Sequence, residues 1–212
     1  MQLLSFLVDF ILHIDVHLGQ IISAYGFLTY AVLFVVIFIE TGLVFMPFLP
    51  GDSLLFAAGA FAALGSLNIW LLWILLVLAA VLGDTANYWI GHFFGQQLID
   101  NPRMPIKAAH IEETNKFFEK HGGKTIIMAR FVPIVRTFAP FVAGIGKMSY
   151  KKFISYNLIG GLAWVTIALF AGFFFGNIPY VKENFSLIIL LIILISVVPM
   201  LVPVISNKLK KK

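Results

Sequence analysis

The chain has 212 residues, of which 60% are hydrophobic and 12% charged, and its mean hydropathy is +0.97. Soluble domains are about one quarter charged, so this composition excludes an ordinary soluble fold and points to an integral membrane protein. The absence of cysteine excludes a disulfide framework and thiolate metal sites, and the net charge of +5 gathers at SNKLKKK and around 103–124, as loop charge beside a membrane and not as a nucleic-acid face.

Residues 1–26 open with MQLLSFLVDFILHIDVHLG, which has neither a basic leader nor a small-residue cleavage site, and the segment is read as retained. Asp9, His13 and Asp15 would sit badly in lipid, so an amphipathic helix lying in the interface is expected here. The apolar region 27–64 is broken by PFLPGD at 47–52, and the apolar region 125–146 is broken by Pro133, Arg136 and Pro140. Broken helices at membrane depth are tolerated only inside protein or beside a watery cavity, so both are read as re-entrant hairpins. Between and after them, 67–90, 153–176 and 185–205 are long and apolar enough to cross a bilayer.

Lysine and arginine in short loops orient the chain. The loop 96–124 carries Arg103, Lys107, Lys116, Lys120 and Lys124, the connection 147–152 carries Lys147, Lys151 and Lys152, and the basic tail 206–212 carries Lys208, Lys210, Lys211 and Lys212. All three are expected in the cytoplasm, whereas 65–68 has no basic residue and 177–184 has only Lys182. If 125–146 starts and ends inside, it must dip in and return. The expected fold is therefore all-α and membrane-embedded, an inverted repeat of two re-entrant hairpins each followed by a transmembrane helix, with a C-terminal transmembrane helix added. A faint echo agrees: Phe48-Leu49-Pro50 leads to Ala58-Gly59 as Phe131-Val132-Pro133 leads to Ala143-Gly144, and GHFFG at 91–95 matches GFFFG at 172–176. Secondary transporters use such repeats to place a site near the midplane.

Charges inside these apolar regions are the candidate chemistry. Glu40 and Asp52 fall in the first hairpin region, and Arg130 and Arg136 in the second, so an inverted arrangement would oppose acids to arginines and offset the desolvation of each. One reading is a structural ion-pair network. The other is a phosphate site, because guanidinium stays charged and offers a planar fork of donors. Glu40 and Asp52 would then carry a coupling proton or gate the site, and the break at Pro50-Gly51 would leave free backbone donors beside Asp52. Asp84 and Asn87 share a helix face with Tyr88, Gly91 and Gly95, and Asn157, Gly160, Gly161 and Trp164 form a similar inward face on the partner crossing. Asp84, Asn87, Asn157, Pro133 and Pro140 are expected in supporting roles. His92, His110 and His121 have no paired ligand at helical spacing, so neither a metal nor a cofactor is expected. Residues 107–121 read as a short surface helix with a Glu112–Lys116 pair and a glycine stop at Gly122-Gly123. Trp70, Trp73 and Trp89 fit interfacial belts.

Glu40, FLPGDSLL at 48–55, GDTANYWIG at 83–91, KHGGKTIIMARFVPIVRTFAPFVAG at 120–144, and Asn157 with Gly160 and Trp164 together resemble the DedA family of bacterial inner-membrane proteins, over residues 1 to about 180. The wider family includes the SNARE-associated or VTT-domain proteins that scramble phospholipids. The resemblance implies a 27–180 core of the hairpin architecture, a multi-pass protein of the bacterial inner membrane with a cytoplasmic C-terminus, and a role in envelope integrity. It further implies functional roles for Glu40, Asp52, Arg130 and Arg136, and translocation of undecaprenyl phosphate or a phospholipid, coupled to the proton motive force in some members. The expected partners are thus membrane lipid and protons, with a homo-oligomer left open. A proton-dependent small-molecule exporter and a non-transporting membrane organiser stay as alternatives. An enzyme is disfavoured, because the residue constellations of membrane phosphatases and phosphatidyl-alcohol transferases are missing.

Overall fold

The computed structural model describes residues 25–43, 51–100, 108–146 and 148–179. The expected interfacial helix at 1–26, all but its last two residues, lies outside them, as do Pro50, the crossing at 185–205 and the tail at 206–212. Among the described residues every regular element is helical: α1 (Leu28–Gly42), α2 (Gly51–Ala63), α3 (Ile69–Asp100), α4 (Ala108–His121), α5 (Thr125–Ala129), α6 (Pro133–Ile145) and α7 (Tyr150–Phe175), with a 3₁₀ turn at Gly122–Lys124.

Length sorts these helices into two classes. With a rise of about 1.5 Å per residue, α1, α2 and α6, of 15, 13 and 13 residues, reach roughly 20 to 23 Å and fall short of the ~30 Å hydrocarbon core. The 32-residue α3 and 26-residue α7 exceed it, and both are apolar enough to cross. Their surfaces are inverted relative to a soluble protein. Trp70, Ile74, Leu78 and Leu82 form an exposed stripe at four-residue spacing on α3, while Asp84, Asn87 and, on α7, Asn157 are buried.

Local chemistry fixes the ends. Asn68 caps α3 by accepting from the N–H groups of Trp70 and Leu71 at 3.0 and 3.1 Å. After α2, Gly65 takes φ +79° and Ser66 N–H reaches back to the Phe61 carbonyl at 3.1 Å, a left-handed helix stop that a side chain would strain. The second broken region parts at residues 130–132. Val132 is extended, as a residue before proline prefers, and Pro133 begins α6. Arg136 and Pro140 therefore lie inside α6 and not at the break, with Pro140 withholding the N–H that would bond the Arg136 carbonyl. The crossing expected at 67–90 continues through GHFFGQQLID to Asp100.

The described residues form two compact units, one of 25–34, 51–76 and 165–179, the other of 35–43, 77–100, 108–146 and 148–164. In the first, α2 crosses α7: a side chain at Gly59 would overlap the backbone of Leu169 and Phe173, and one at Gly172 the backbone of Phe56. Trp73 Nε1 donates to Thr166 Oγ1 at 2.8 Å in the same unit. In the second, α6 crosses α3 by the same pattern: Gly144 abuts Tyr88 and His92, and Gly91 abuts Phe141. Each contact on the short helix recurs 85 residues on, Phe56 to Phe141 and Gly59 to Gly144, and each on the long helix 81 residues apart, Leu169 to Tyr88 and Gly172 to Gly91. Gly176 against Ala60 and Gly95 against Ile145 extend the correspondence. The two crossings share one pattern of glycine contacts.

The second unit also holds α4, an amphipathic helix that packs Ile111 and Phe118 against Phe138, Phe141 and Val142 of α6. Its outer face carries the Lys116–Glu112 pair at 2.8 Å, which holds the Glu112 carboxyl below the usual carboxylate range. Because a methyl group would meet backbone at either crossing, Gly144→Ala and Gly59→Ala are expected to lose similar stability, about 2–3 kcal/mol each, in thermal melts of the detergent-solubilised protein. Unequal losses would break the equivalence of the two crossings.

Candidate functional site

Four charged side chains converge inside the second unit, each from a different segment. Arg130 follows α5, Arg136 lies in α6, Asp84 in α3 and Glu40 in α1. Arg130 Nη2 donates to Asp84 Oδ2 at 2.5 Å and to Asn157 Oδ1 at 2.6 Å. The Ala80 carbonyl lies 3.4 Å from the same nitrogen, which has only two hydrogens, so this third contact is a shared one. Asn157 in turn donates to the Val81 carbonyl at 3.0 Å. Arg136 Nη2 donates to Glu40 Oε1 at 2.6 Å. Trp164 of α7 sits against both guanidiniums, its ring centroid 5.8 Å from Arg130 Cζ and 5.5 Å from Arg136 Cζ, within cation–π range.

Small residues make the convergence fit. Gly160 and Gly161 open a notch on α7 for Arg130: a Cβ on Gly160 would stand 3.2 Å from its Cδ and 3.3 Å from its Nε. Gly83 of α3 lets the end of α1 approach closely, since a side chain there would overlap Thr41 and the Phe38 carbonyl. Asn87 Nδ2 then ties the two short helices to α3, donating to the Thr137 carbonyl of α6 at 2.9 Å and the Thr41 carbonyl of α1 at 3.2 Å. Thr41 is the penultimate residue of α1, where helix carbonyls lack an internal donor. Glu40, Thr41, Asp84, Arg130, Arg136, Thr137 and Trp164 enclose a cavity of about 20 Å³, room for roughly one water molecule.

The structure thus brings together Glu40, Arg130, Arg136, Asp84, Asn87 and Asn157. Asp52 and Gly51 belong to the other unit, in the first turn of α2, where Asp52 is half-buried and favourably placed for a helix N-terminus. Pro133 and Pro140 shape α6 without touching the charges' account of hydrogen bonds. Thr41 and Thr137 line the cavity and carry no signal in the sequence. The Gly160-Gly161 pair could have been read as a notch for a large side chain. Among the described residues no three His, Asp or Glu side chains cluster as metal ligands.

A family model for the VTT domain matches residues 49–174. The chain is 54% identical over 211 residues to Protein DedA of Escherichia coli (strain K12), covering 98% of this chain and 96% of that one. The chain belongs to the DedA family of VTT-domain proteins. More distant members include an uncharacterized membrane protein of Mycobacterium leprae (strain TN), 45% identical over 170 residues with 79% of this chain and 76% of that one covered, and the inner membrane protein YqjA of Escherichia coli (strain K12), 35% identical over 151 residues with 71% and 69% covered. No solved structure matches. A DedA-family chain is a membrane protein, which accounts for the apolar stripe facing out and the ion pairs facing in.

Removing one partner of a buried pair strands the other charge, whereas removing both need not. Asp84→Asn is expected to destabilise the protein by about 3–5 kcal/mol, with much of that loss recovered in Asp84→Leu/Arg130→Met. Thermal melts followed by size-exclusion in detergent would show it. A double variant no more stable than the single one would contradict a pair held mainly by mutual neutralisation.

Proposed function

We propose that this DedA-family protein is a translocase for a membrane lipid phosphate, undecaprenyl phosphate or a phospholipid, moving the headgroup through the protein while the tail stays in the bilayer. The observation that carries this reading is the pair of guanidiniums, Arg130 buried and Arg136 partly so, both within cation–π range of one tryptophan at a water-sized cavity. Planar, permanently charged forks match phosphate oxygens in a way a lysine does not. The short helices support it. α1, α2 and α6 cannot span a bilayer singly, so on this reading they are arms of two re-entrant hairpins, 27–64 from outside and 125–146 from inside. The recurring glycine crossings support an inverted repeat, with loop lysines setting α4 and the C-terminus in the cytoplasm of a multi-pass inner-membrane protein.

On this reading the site makes and breaks no covalent bond. Glu40 takes up a proton as the phosphate arrives, Asp52 serves the same coupling from its own unit, and Asp84, Asn87 and Asn157 keep the arginines in place.

The test is inward transfer of labelled undecaprenyl phosphate, and of a labelled phospholipid, in proteoliposomes with and without an imposed pH gradient. Wild type is expected to move one of them faster with the gradient. Arg136→Ala is expected to fall at least about a hundredfold, the loss of roughly 3 kcal/mol from one charged contact. Glu40→Gln is expected to move lipid at a rate the gradient no longer changes. Correctly inserted wild type that moves neither lipid, yet exports a small anion against the gradient, would replace the translocase with the exporter.

A further inference from the structure

We propose that the cavity between α4 and the end of α6 is a binding site for an anionic phospholipid, with the phosphate at Lys152 and one acyl chain in the apolar space. The site shares no lining residue with the arginine cluster and does not rest on the translocase reading.

The cavity measures about 410 Å³, inside the ~300–1,000 Å³ range of ligand sites. Its walls follow from the sequence. Ile111, Asn115 and Phe118 fall at spacings of four and three along α4 and so share one face of that helix. Val142 and Ile145 of α6 close the opposite side, and Met148 lies in the connection to α7. Two glycines in the wall leave bare backbone beside open space: a Cβ on Gly122 would have nothing within 4 Å, and one on Gly146 would meet only the Val142 carbonyl, at 3.2 Å.

One part of the lining is cationic. Lys152, the third residue of α7, lines the cavity and is exposed, and among the described residues it has no ion pair. The first turn of a helix is where a cation is worst placed, because the positive end of the peptide dipoles lies there, and Lys151 and Lys152 both stand in it with no acid beside them. An anion at Lys152 relieves that mismatch. An apolar space with a cation in its wall matches an amphiphile that joins a chain to a phosphate, and anionic phospholipid is the amphiphile a membrane offers to basic residues at its surface.

Charge also decides against the chain's own segments. NPRMPIK at 101–107 and SNKLKKK at 206–212 carry basic residues and no acid, so either would bring repulsion to Lys152. Inorganic phosphate would answer the lysine and leave the apolar walls wet.

The test uses the full-length protein, stripped of lipid in a neutral maltoside detergent, and follows its thermal melt with increasing phosphatidylglycerol, with phosphatidylcholine of the same chains, or with inorganic phosphate. Phosphatidylglycerol is expected to raise the melting temperature saturably, and the other two to leave it unchanged. Lys152→Gln is expected to raise the half-saturating phosphatidylglycerol concentration about tenfold. Asn115→Trp sets an indole into the space from an exposed position and is expected to fold but lose the response. Lys120→Gln, on α4 but outside the cavity wall, is expected to respond as wild type does. Should Asn115→Trp fail to fold, Lys152→Gln decides alone. A response undiminished in Lys152→Gln would put the lipid elsewhere, the arginine cluster included, and overturn the proposal. So would equal responses to the two lipids, stabilisation by inorganic phosphate alone, or a loss in Lys120→Gln as large as in Lys152→Gln. A folded wild type that does not respond to phosphatidylglycerol would overturn it too, leaving the space to residues 101–107.

Discussion

Taking an arginine side chain out of water without a counter-charge costs several kcal/mol, and this chain takes two out within one small cluster. Most of the architecture of the second unit answers that cost. Asp84 comes from α3, Asn157 and Trp164 from α7, and Glu40 from α1, so satisfying Arg130 and Arg136 requires these helices to turn their polar residues to a common point. Asn87 serves the backbone in the same way, supplying both amide hydrogens to carbonyls of the two short helices. The Thr41 carbonyl lies in the last turn of α1, where helix carbonyls lack an internal donor, and Asn87 of the neighbouring helix supplies one.

Lipid tails are as apolar as leucine, so burial of apolar surface does little to hold such helices together. Close approach and interhelical hydrogen bonds must do it. The glycines at the α2–α7 and α3–α6 crossings admit backbone against backbone, and they do so in the same register twice. In both cases the second arm of a broken region rests on the long helix of the other half of the sequence, α2 on α7 and α6 on α3. Neither half of the sequence provides a complete crossing by itself. The two halves of the sequence are therefore packed on each other at both crossings.

Much of this was legible beforehand for identifiable reasons. Long apolar runs mark α3 and α7 by composition alone, and the glycines of GHFFG and GFFFG mark the places where each is crossed. The opposition of acids to arginines follows from charge and cost. Which acid meets which arginine does not: Asp84, placed in a supporting role, is the partner of Arg130, and Glu40 is a partner of Arg136. Pairing is decided by three-dimensional proximity, about which sequence spacing within one helix is silent. The matching contacts were also hard to see in the sequence because their offset is 85 on the short helices and 81 on the long ones, so no ungapped comparison aligns both. α3 runs on to Asp100 although QQLID reads as loop, since Leu98 and Ile99 pack against the α6 cluster of Phe138, Phe141 and Val142. The break in 125–146 comes earlier than its prolines imply because Pro133 starts a helix, where its missing N–H costs nothing, while Pro140 is tolerated inside one.

Neutrality links these facts to transport. In each of the two ion pairs, Arg130 with Asp84 and Arg136 with Glu40, one positive charge meets one negative, and a cavity that holds about one water leaves little solvent to screen any imbalance. On the proposed reading, a phosphate monoanion entering such a place must bring a proton or expel a negative charge, because an extra unit charge at low dielectric is too costly to carry. On that reading, protonation of Glu40, which pairs with Arg136, meets that demand. Coupling to protons then needs no separate device. On the proposed reading it follows from the same desolvation cost that gathered the four charges.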